Sequence, residues 1–311
     1  MNENILVACM CDNNYAQHCG VMLYSLLENS SQPLDILIIE NNISEQNKQK
    51  LKKITDSFES NLTFKQMNDD RINNFKSMER YGNLTTSFRI FLPEFVDDEK
   101  RLVICLDCDM VILGDIMELL NYYDDNYIFA GTRISYKTLT KTYDKLNFNP
   151  NMPYLNTGVL LINMDKYKKF NMVEKCIEFS KDNYDKLTWA DMDVINGVIK
   201  GNFKEIPHEW NLCSAFFGKY HASEFYDISR EELNKIMLNK KIIHFTTHKP
   251  WFYSTYHPLQ YLYWFYLNQT EWKDYVYPDK NIQSLQKKLY TYVSYNLPPN
   301  LRNFLVQNGK N

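Results

Sequence analysis

No run in this chain approaches the roughly 20 consecutive apolar residues needed to span a bilayer, and no charged leader, long apolar core or small-residue cleavage pattern precedes the first apolar run at Ile5 to Met10. The expectation is a cytoplasmic protein, with any membrane contact peripheral and at the inner face. A dominant charge is missing as well. The 35 Lys and Arg residues are interspersed with 38 Asp and Glu, giving a net charge of −3, which argues against nucleic acid as a partner. There is no disulfide framework either, because the seven cysteines are odd in number and scattered. Cys9, Cys105 and Cys176 lie in apolar runs, where a free thiol behaves as a small hydrophobe, and the pattern fits a reducing compartment. Internal repeats, low-complexity stretches and disorder-like composition are all absent, so 311 residues are read as one elaborated domain.

Short apolar, β-branched runs do recur: Ile5 to Cys9, Leu34 to Ile39, Leu102 to Leu106 and Val159 to Ile162. Between them lie segments with helical spacing, such as Val21, Leu23, Leu26 and Leu27, and later Ile116 to Leu120. Alternating strands and helices predict an α/β fold around a mostly parallel sheet. Ligands of such sheets bind beyond the carboxyl ends of the strands. Three strand ends are therefore of interest: Cys11-Asp12-Asn13-Asn14-Tyr15, Asp107-Cys108-Asp109, and His244 after Ile242-Ile243. Near Pro278 the character changes, since residues 280–311 contain no Asp or Glu while lysine and arginine alternate with tyrosine, leucine and phenylalanine. The chain is divided accordingly into a catalytic domain, 1–277, and a basic, aromatic extension, 278–311. Pro298-Pro299 is expected to split the extension into two helices. Basic and aromatic residues together suit an anionic membrane interface, which makes residues 281–311 a candidate peripheral contact, although a packed helix with a solvated basic face has the same composition.

Asp107 and Asp109 are two apart at the mouth of a buried strand, so both carboxylates can face one ion. Hard oxygen donors suit Mg²⁺ or Mn²⁺, and a departing diphosphate needs such an ion. A bare Asp-x-Asp after a strand is more often a turn or a helix cap. A third, softer ligand such as His244 would favour Mn²⁺. Lys249 could set an ammonium against a diphosphate.

Four ordered stretches then resemble glycosyltransferase family 8, the retaining UDP-hexose transferases. They are Cys11 to Tyr15; Ser87-Phe88-Arg89-Ile90-Phe91-Leu92-Pro93 ahead of Leu106 to Asp109; Leu155-Asn156-Thr157-Gly158 running to Asn163; and Ile243-His244-Phe245 with Lys249-Pro250-Trp251. The resemblance covers about residues 5 to 255 and implies a GT-A-like nucleotide-binding fold with a mostly parallel mixed sheet. It implies metal ligands at Asp107, Asp109 and His244. It also implies a donor site formed by Met10, Asp12, Asn14, Tyr15, Arg89, Asp107, Cys108, Asn156, Thr157, Gly158, Asp191, Thr247 and Lys249, with Tyr15 stacked on uracil. Around the reacting carbon it places Asp191, Met192 and Asn156, with Asp193 beside Asp191. The cofactor implied is Mn²⁺, with Mg²⁺ as the substitute. The donor is UDP-glucose or UDP-galactose, and the acceptor is a hydroxyl of a cell-surface glycan, glycolipid or glycoprotein.

Three positions depart from the family pattern. Met192 stands where relatives carry Gln, and a thioether is neither an amide donor nor an oxygen nucleophile. Arg133 replaces a carboxylate, and Thr247 replaces a glycine. With no nucleophile at 192, retention is expected through attack on the face from which UDP leaves. Two rival readings use the same acidic pair: a metal-dependent phosphohydrolase, and a module that binds sugar nucleotides without turning them over.

Overall fold

The computed structural model describes residues 5–75, 84–218 and 228–297, together with Ala222 and Tyr226. From the N-terminus the chain forms β1 (Ile5–Asp12), α1 (Ala16–Glu28), β2 (Asp35–Asn41), α2 (Glu45–Ser57), β3 (Asn61–Gln66), β4 (Leu102–Leu106) and β5 (Met110–Ile112). It continues through β6 (Phe129–Ile134), α3 (Tyr136–Leu146), β7 (Tyr154–Asn163), α4 (Met164–Lys169), α5 (Met172–Asn183) and α6 (Asp191–Ile199). The short strands β8 (Lys204–Glu205), β9 (Leu212–Cys213) and β10 (Ile242–His244) follow, with helices at Arg230–Leu238, Gln260–Leu267 and Ile282–Asn296.

Seven strands make the main sheet in the order β3-β2-β1-β4-β7-β6-β8. The pairs β1–β2, β1–β4, β2–β3 and β6–β8 are parallel, whereas β7 runs antiparallel to both β4 and β6. The sheet is thus mixed and mostly parallel, as the strand–helix alternation predicts. β1 is buried along its whole length, which explains its unbroken apolar run: both of its faces are covered. Leu6, Ala8 and Met10 enter one core with Phe91, Leu160 and Ile195. Ile5, Val7, Cys9 and Cys11 enter the other with Leu23 and Leu26 of α1. β3, at the edge, alternates exposed polar with half-buried residues, which is how a sheet edge avoids pairing with another chain.

The segment Ile116–Tyr122 differs from the expected α-helix. It is a 3₁₀ turn whose entry is fixed by Asp115 Oδ1 accepting from the Met117 amide at 3.1 Å; at seven residues it gains little from the wider helix. A second, three-stranded sheet, β5-β10-β9, is too short to show as periodicity. It sits on a third core of Val111, Ile243, Phe245, Trp251 and Tyr263 and carries His244 to the end of β4. In the basic extension Ile282–Asn296 is one helix, N-capped by Asn281 Oδ1 accepting from the Ser284 amide at 2.8 Å. Tyr292 meets Tyr256 edge-on at 4.9 Å and Lys288 lies over the Tyr253 ring at 4.8 Å. The second helix expected beyond Pro298-Pro299 lies outside the described residues. Among the described residues no helix is long and apolar enough to cross a membrane.

Candidate active site

The carboxyl ends of β1 and β4 open onto a cleft, where strand topology predicts a ligand site. Its lining includes Met10, Asp12, Tyr15, Arg89, Asp107, Cys108, Asp109, Asn156, Thr157, Gly158, Asp191, Met192, His244 and Lys249. Stretches more than 200 residues apart in sequence therefore converge on one space. Asn14 and Thr247 do not line it: both are exposed. Asn14 sits in the turn that Asp12 closes, where Asp12 Oδ1 accepts from the Tyr15 amide at 2.9 Å and leaves Tyr15 facing the cleft. Thr247 turns away and contacts His248, leaving Thr246 on the cleft wall. Arg133 is half exposed, outside the lining, and pairs with Glu205 at 3.4 Å. Thr85, Thr86, Trp189 and Thr246 complete the wall. Thr86 and Thr246 directly adjoin motif residues and Thr85 and Trp189 lie two positions from one, but uncharged side chains carry no chemical signal of their own in sequence.

One wall is densely charged. Ligand atoms of Asp107, Asp109 and His244 lie within 4.8 Å of one another, with His244 Nε2 3.1 Å from Asp109 and 3.5 Å from Asp107. Behind the ring, Nδ1 donates to Asn211 Oδ1 at 2.8 Å. That bond fixes the ring's orientation and leaves Nε2 directed at the carboxylates, an arrangement common behind metal-bound histidines. The floor is Gly158, where an added Cβ would lie 2.5 Å from His244 Cε1 and 3.0 Å from Asp107 Oδ2; only a glycine leaves this space clear. Two hard oxygens, one imidazole nitrogen and open room beside them fit a small divalent cation. Lys249 donates to Asp109. Burial opposes charge on Asp109, but Lys249 and His244 outweigh it and hold the carboxyl below the usual range. Burial likewise opposes the His244 cation, yet the neighbouring Asp109 raises it to about 10, so a proton and a cation compete for the same nitrogen.

The opposite wall is set by α6. Ala190 enters it at φ 48°, a conformation that costs a residue with a Cβ free energy and that surrounding structure must impose. Asp193 imposes it: fully buried, it accepts amides from Thr188 at 2.5 Å and Trp189 at 2.7 Å and the Tyr154 hydroxyl. Asp193 is thus a turn clamp outside the cleft lining, and Asp191 and Met192 face the cleft in its place. Asp191 accepts from Thr157 Oγ1 at 3.2 Å and pairs with Arg89 Nε at 3.0 Å. Burial pushes the Asp191 carboxyl up to about 6 despite the opposing pull of Arg89. Arg89, 3% exposed, also donates to Asp107 and to the Thr157 carbonyl. Asn156 holds the junction between the walls, its Oδ1 accepting from the Gly158 amide at 2.8 Å and its Nδ2 donating to Cys213 Sγ at 3.4 Å.

Comparison with known proteins identifies the fold and the family. The "Lipopolysaccharide 1,2-glucosyltransferase" of Escherichia coli is 26% identical over 280 residues, 88% of this chain and 80% of its own. "General stress protein A" of Bacillus subtilis is 27% identical over 275 residues, 86% and 94%. Among solved structures, the galactosyltransferase LgtC in complex with donor and acceptor sugar analogs superposes with a TM-score of 0.74 at 19% identity, covering 90% of this chain and all of that one. This likeness shows a shared GT-A fold. The profile described as "Glycosyl transferase family 8" matches residues 6–255, which takes in both walls of the cleft, and the chain belongs to that family.

Proposed function

We propose that this glycosyltransferase moves glucose or galactose from a UDP-hexose to a hydroxyl of a cell-surface glycan, glycolipid or glycoprotein, with retention and with Mn²⁺, or Mg²⁺ in its place. The observation that carries the reading is the seat formed by Asp107, Asp109 and His244 over Gly158, with Tyr15 and Lys249 on the same cleft. Tyr15 is half-buried and meets Trp251 edge-on at 5.9 Å, which steadies a ring suited to stacking on uracil. A divalent cation bound between the carboxylates would neutralise the charge that grows on the departing diphosphate.

The chain's own residues do the rest. Lys249 supplies a buried positive charge beside Asp109 for the diphosphate. Asp191, held by Arg89 and Thr157, orients the sugar and, when ionised, stabilises positive charge at the anomeric carbon. Met192 offers no oxygen for a covalent intermediate. The acceptor oxygen therefore bonds to the anomeric carbon as its bond to UDP breaks on the same face, and the acceptor proton passes to a β-phosphate oxygen of the leaving UDP. A cell-surface acceptor is favoured by the relatives, among them the "Lipopolysaccharide 1,3-galactosyltransferase" of Salmonella typhimurium. Helix Ile282–Asn296 supports delivery at a membrane, because it exposes Ile282, Leu285, Leu289 and Val293 beside a basic sequence.

Incubation with UDP-glucose or UDP-galactose and Mn²⁺, followed by mass spectrometry, tests the reaction. Release of UDP and free hexose, abolished by chelator, is expected. Binding without turnover would favour a sugar-nucleotide module, and phosphate release from simple esters would favour a phosphohydrolase. Removing residues 281–311 should lower binding to anionic liposomes; unchanged binding excludes the membrane contact.

A further inference from the structure

Four of the seven cysteines, from three stretches of the chain, lie in one core behind the acidic pair. Cys9 and Cys11 share one face of β1, Cys19 comes from α1, and Cys108 stands between Asp107 and Asp109, all of them in the core that α1 covers. Cys9 Sγ and Cys19 Sγ are 3.7 Å apart. The sulfurs of Cys9, Cys19 and Cys108 all lie within 4.8 Å of one another. The Cys11 thiol donates instead to the Asp12 carbonyl at 3.2 Å, and the Cys108 thiol donates to the Met10 carbonyl at 3.2 Å. Cys9, Cys11 and Cys19 are fully buried, and Cys108, 5% exposed, borders the donor cleft.

The spacing has a chemical meaning. Zinc–thiolate bonds of about 2.3 Å in a tetrahedron put neighbouring sulfurs about 3.8 Å apart. One edge of such a site is already formed here, and the third sulfur needs a shift of no more than about 1 Å to complete the face. Soft sulfur donors select thiophilic d¹⁰ cations over Mg²⁺ or Mn²⁺, so this group and the Asp107-Asp109-His244 seat differ in the ions they prefer. Three thiolates around a divalent cation leave little net charge, which an apolar pocket tolerates far better than a free thiolate.

We propose that Cys9, Cys19 and Cys108 bind one thiophilic d¹⁰ cation of the Zn²⁺ or Cd²⁺ type, entering from the donor cleft past Cys108. Each ligand S–H gives its proton to solvent as a sulfur–metal bond forms, and no electron is transferred. Because Cys108 is bonded on either side to the two acidic residues, occupancy pulls on the Asp107–Asp109 pair from behind. Soft cations then depress turnover without competing with Mn²⁺. The site itself does not depend on the proposed sugar-transfer reaction.

Cadmium is the probe, added to the reduced full-length protein in excess Mg²⁺ and read by the ultraviolet sulfur-to-cadmium charge-transfer band, which carboxylate and imidazole ligands do not produce. A band saturating at one cadmium per chain is expected in the wild type and in Asp109→Asn, with loss in Cys19→Ala and in Cys9→Ala. Circular dichroism identifies variants that remain folded. Absence of the band in the wild type overturns the proposal, as does a band that survives both cysteine substitutions. Cys19→Ala should also retain wild-type turnover with Mn²⁺ while becoming insensitive to cadmium; equal inhibition of that variant would show that cadmium acts at the acidic pair instead.

Discussion

The two walls of the cleft are built in different ways. The wall at the end of β4 is dense with charge, with two carboxylates, an imidazole and an ammonium closely paired. The wall at the start of α6 has one carboxylate, a thioether and an indole, and its shape depends on a strained Ala190 held by Asp193. Charged groups that must share one ion tolerate little change. A wall shaped by backbone and apolar side chains can alter its contacts with a sugar while the first wall stays the same. Under the proposed function, the metal and diphosphate would fall to the β4 wall and the contacts with the sugar to the α6 wall.

Removing a charge from the first wall gives the most severe test of that contrast. Asp109→Asn should reduce donor turnover by on the order of a thousandfold, measured as UDP release at saturating Mn²⁺, with the circular dichroism spectrum unchanged; near-normal turnover would break the assignment. Asp191→Asn should cost on the order of a hundredfold. In the wild type log kcat/KM should rise with pH through about 6, where Asp191 ionises, and that inflection should vanish in the variant. Stability should move the other way. A carboxyl raised on folding contributes stability that is complete below its unfolded value and is lost as pH rises through about 6. Asp191→Asn should therefore melt no lower than wild type at pH 7.5, which calorimetry can check.

Asn211→Ala should weaken Mn²⁺ activation by roughly 10- to 100-fold through the loosened His244 ring, and much of the rate should return at high Mn²⁺. A loss that added Mn²⁺ does not relieve would mean that Asn211 acts on something other than the metal seat. Met192→Gln should change turnover by less than about threefold, because the thioether is not asked to react; a large gain would point to an amide role and weaken same-face attack.

Much of the charged wall was legible beforehand through the family resemblance, because an Asp-x-Asp at a strand mouth and a histidine after a short apolar run are weak signals when taken alone. β1 and β4 were legible for a different reason: full burial on both faces leaves continuous apolar runs. The strands β8, β9 and β10 are two or three residues long and are set by tertiary pairing, so no periodicity marks them. Asn14 and Thr247 sit in turns, where one residue decides which side chain faces the cleft. Asp193 reads in sequence like a twin of Asp191, and only helix geometry separates the clamp from the residue that faces the cleft. The cysteines seemed scattered because nothing in sequence spacing tells that β1, α1 and Asp107-Cys108-Asp109 meet.

Gly158 carries a consequence for descent. A single methyl at this position would press on both His244 and Asp107 and fill the seat with carbon while leaving the strands around it intact. One nucleotide substitution can turn glycine into alanine, so a working transferase of this build stands one small step from a silent carbohydrate receptor. Paralogs that recognise sugar nucleotides but never transform them could arise by that route, and Gly158→Ala is the shortest way to make one in the laboratory.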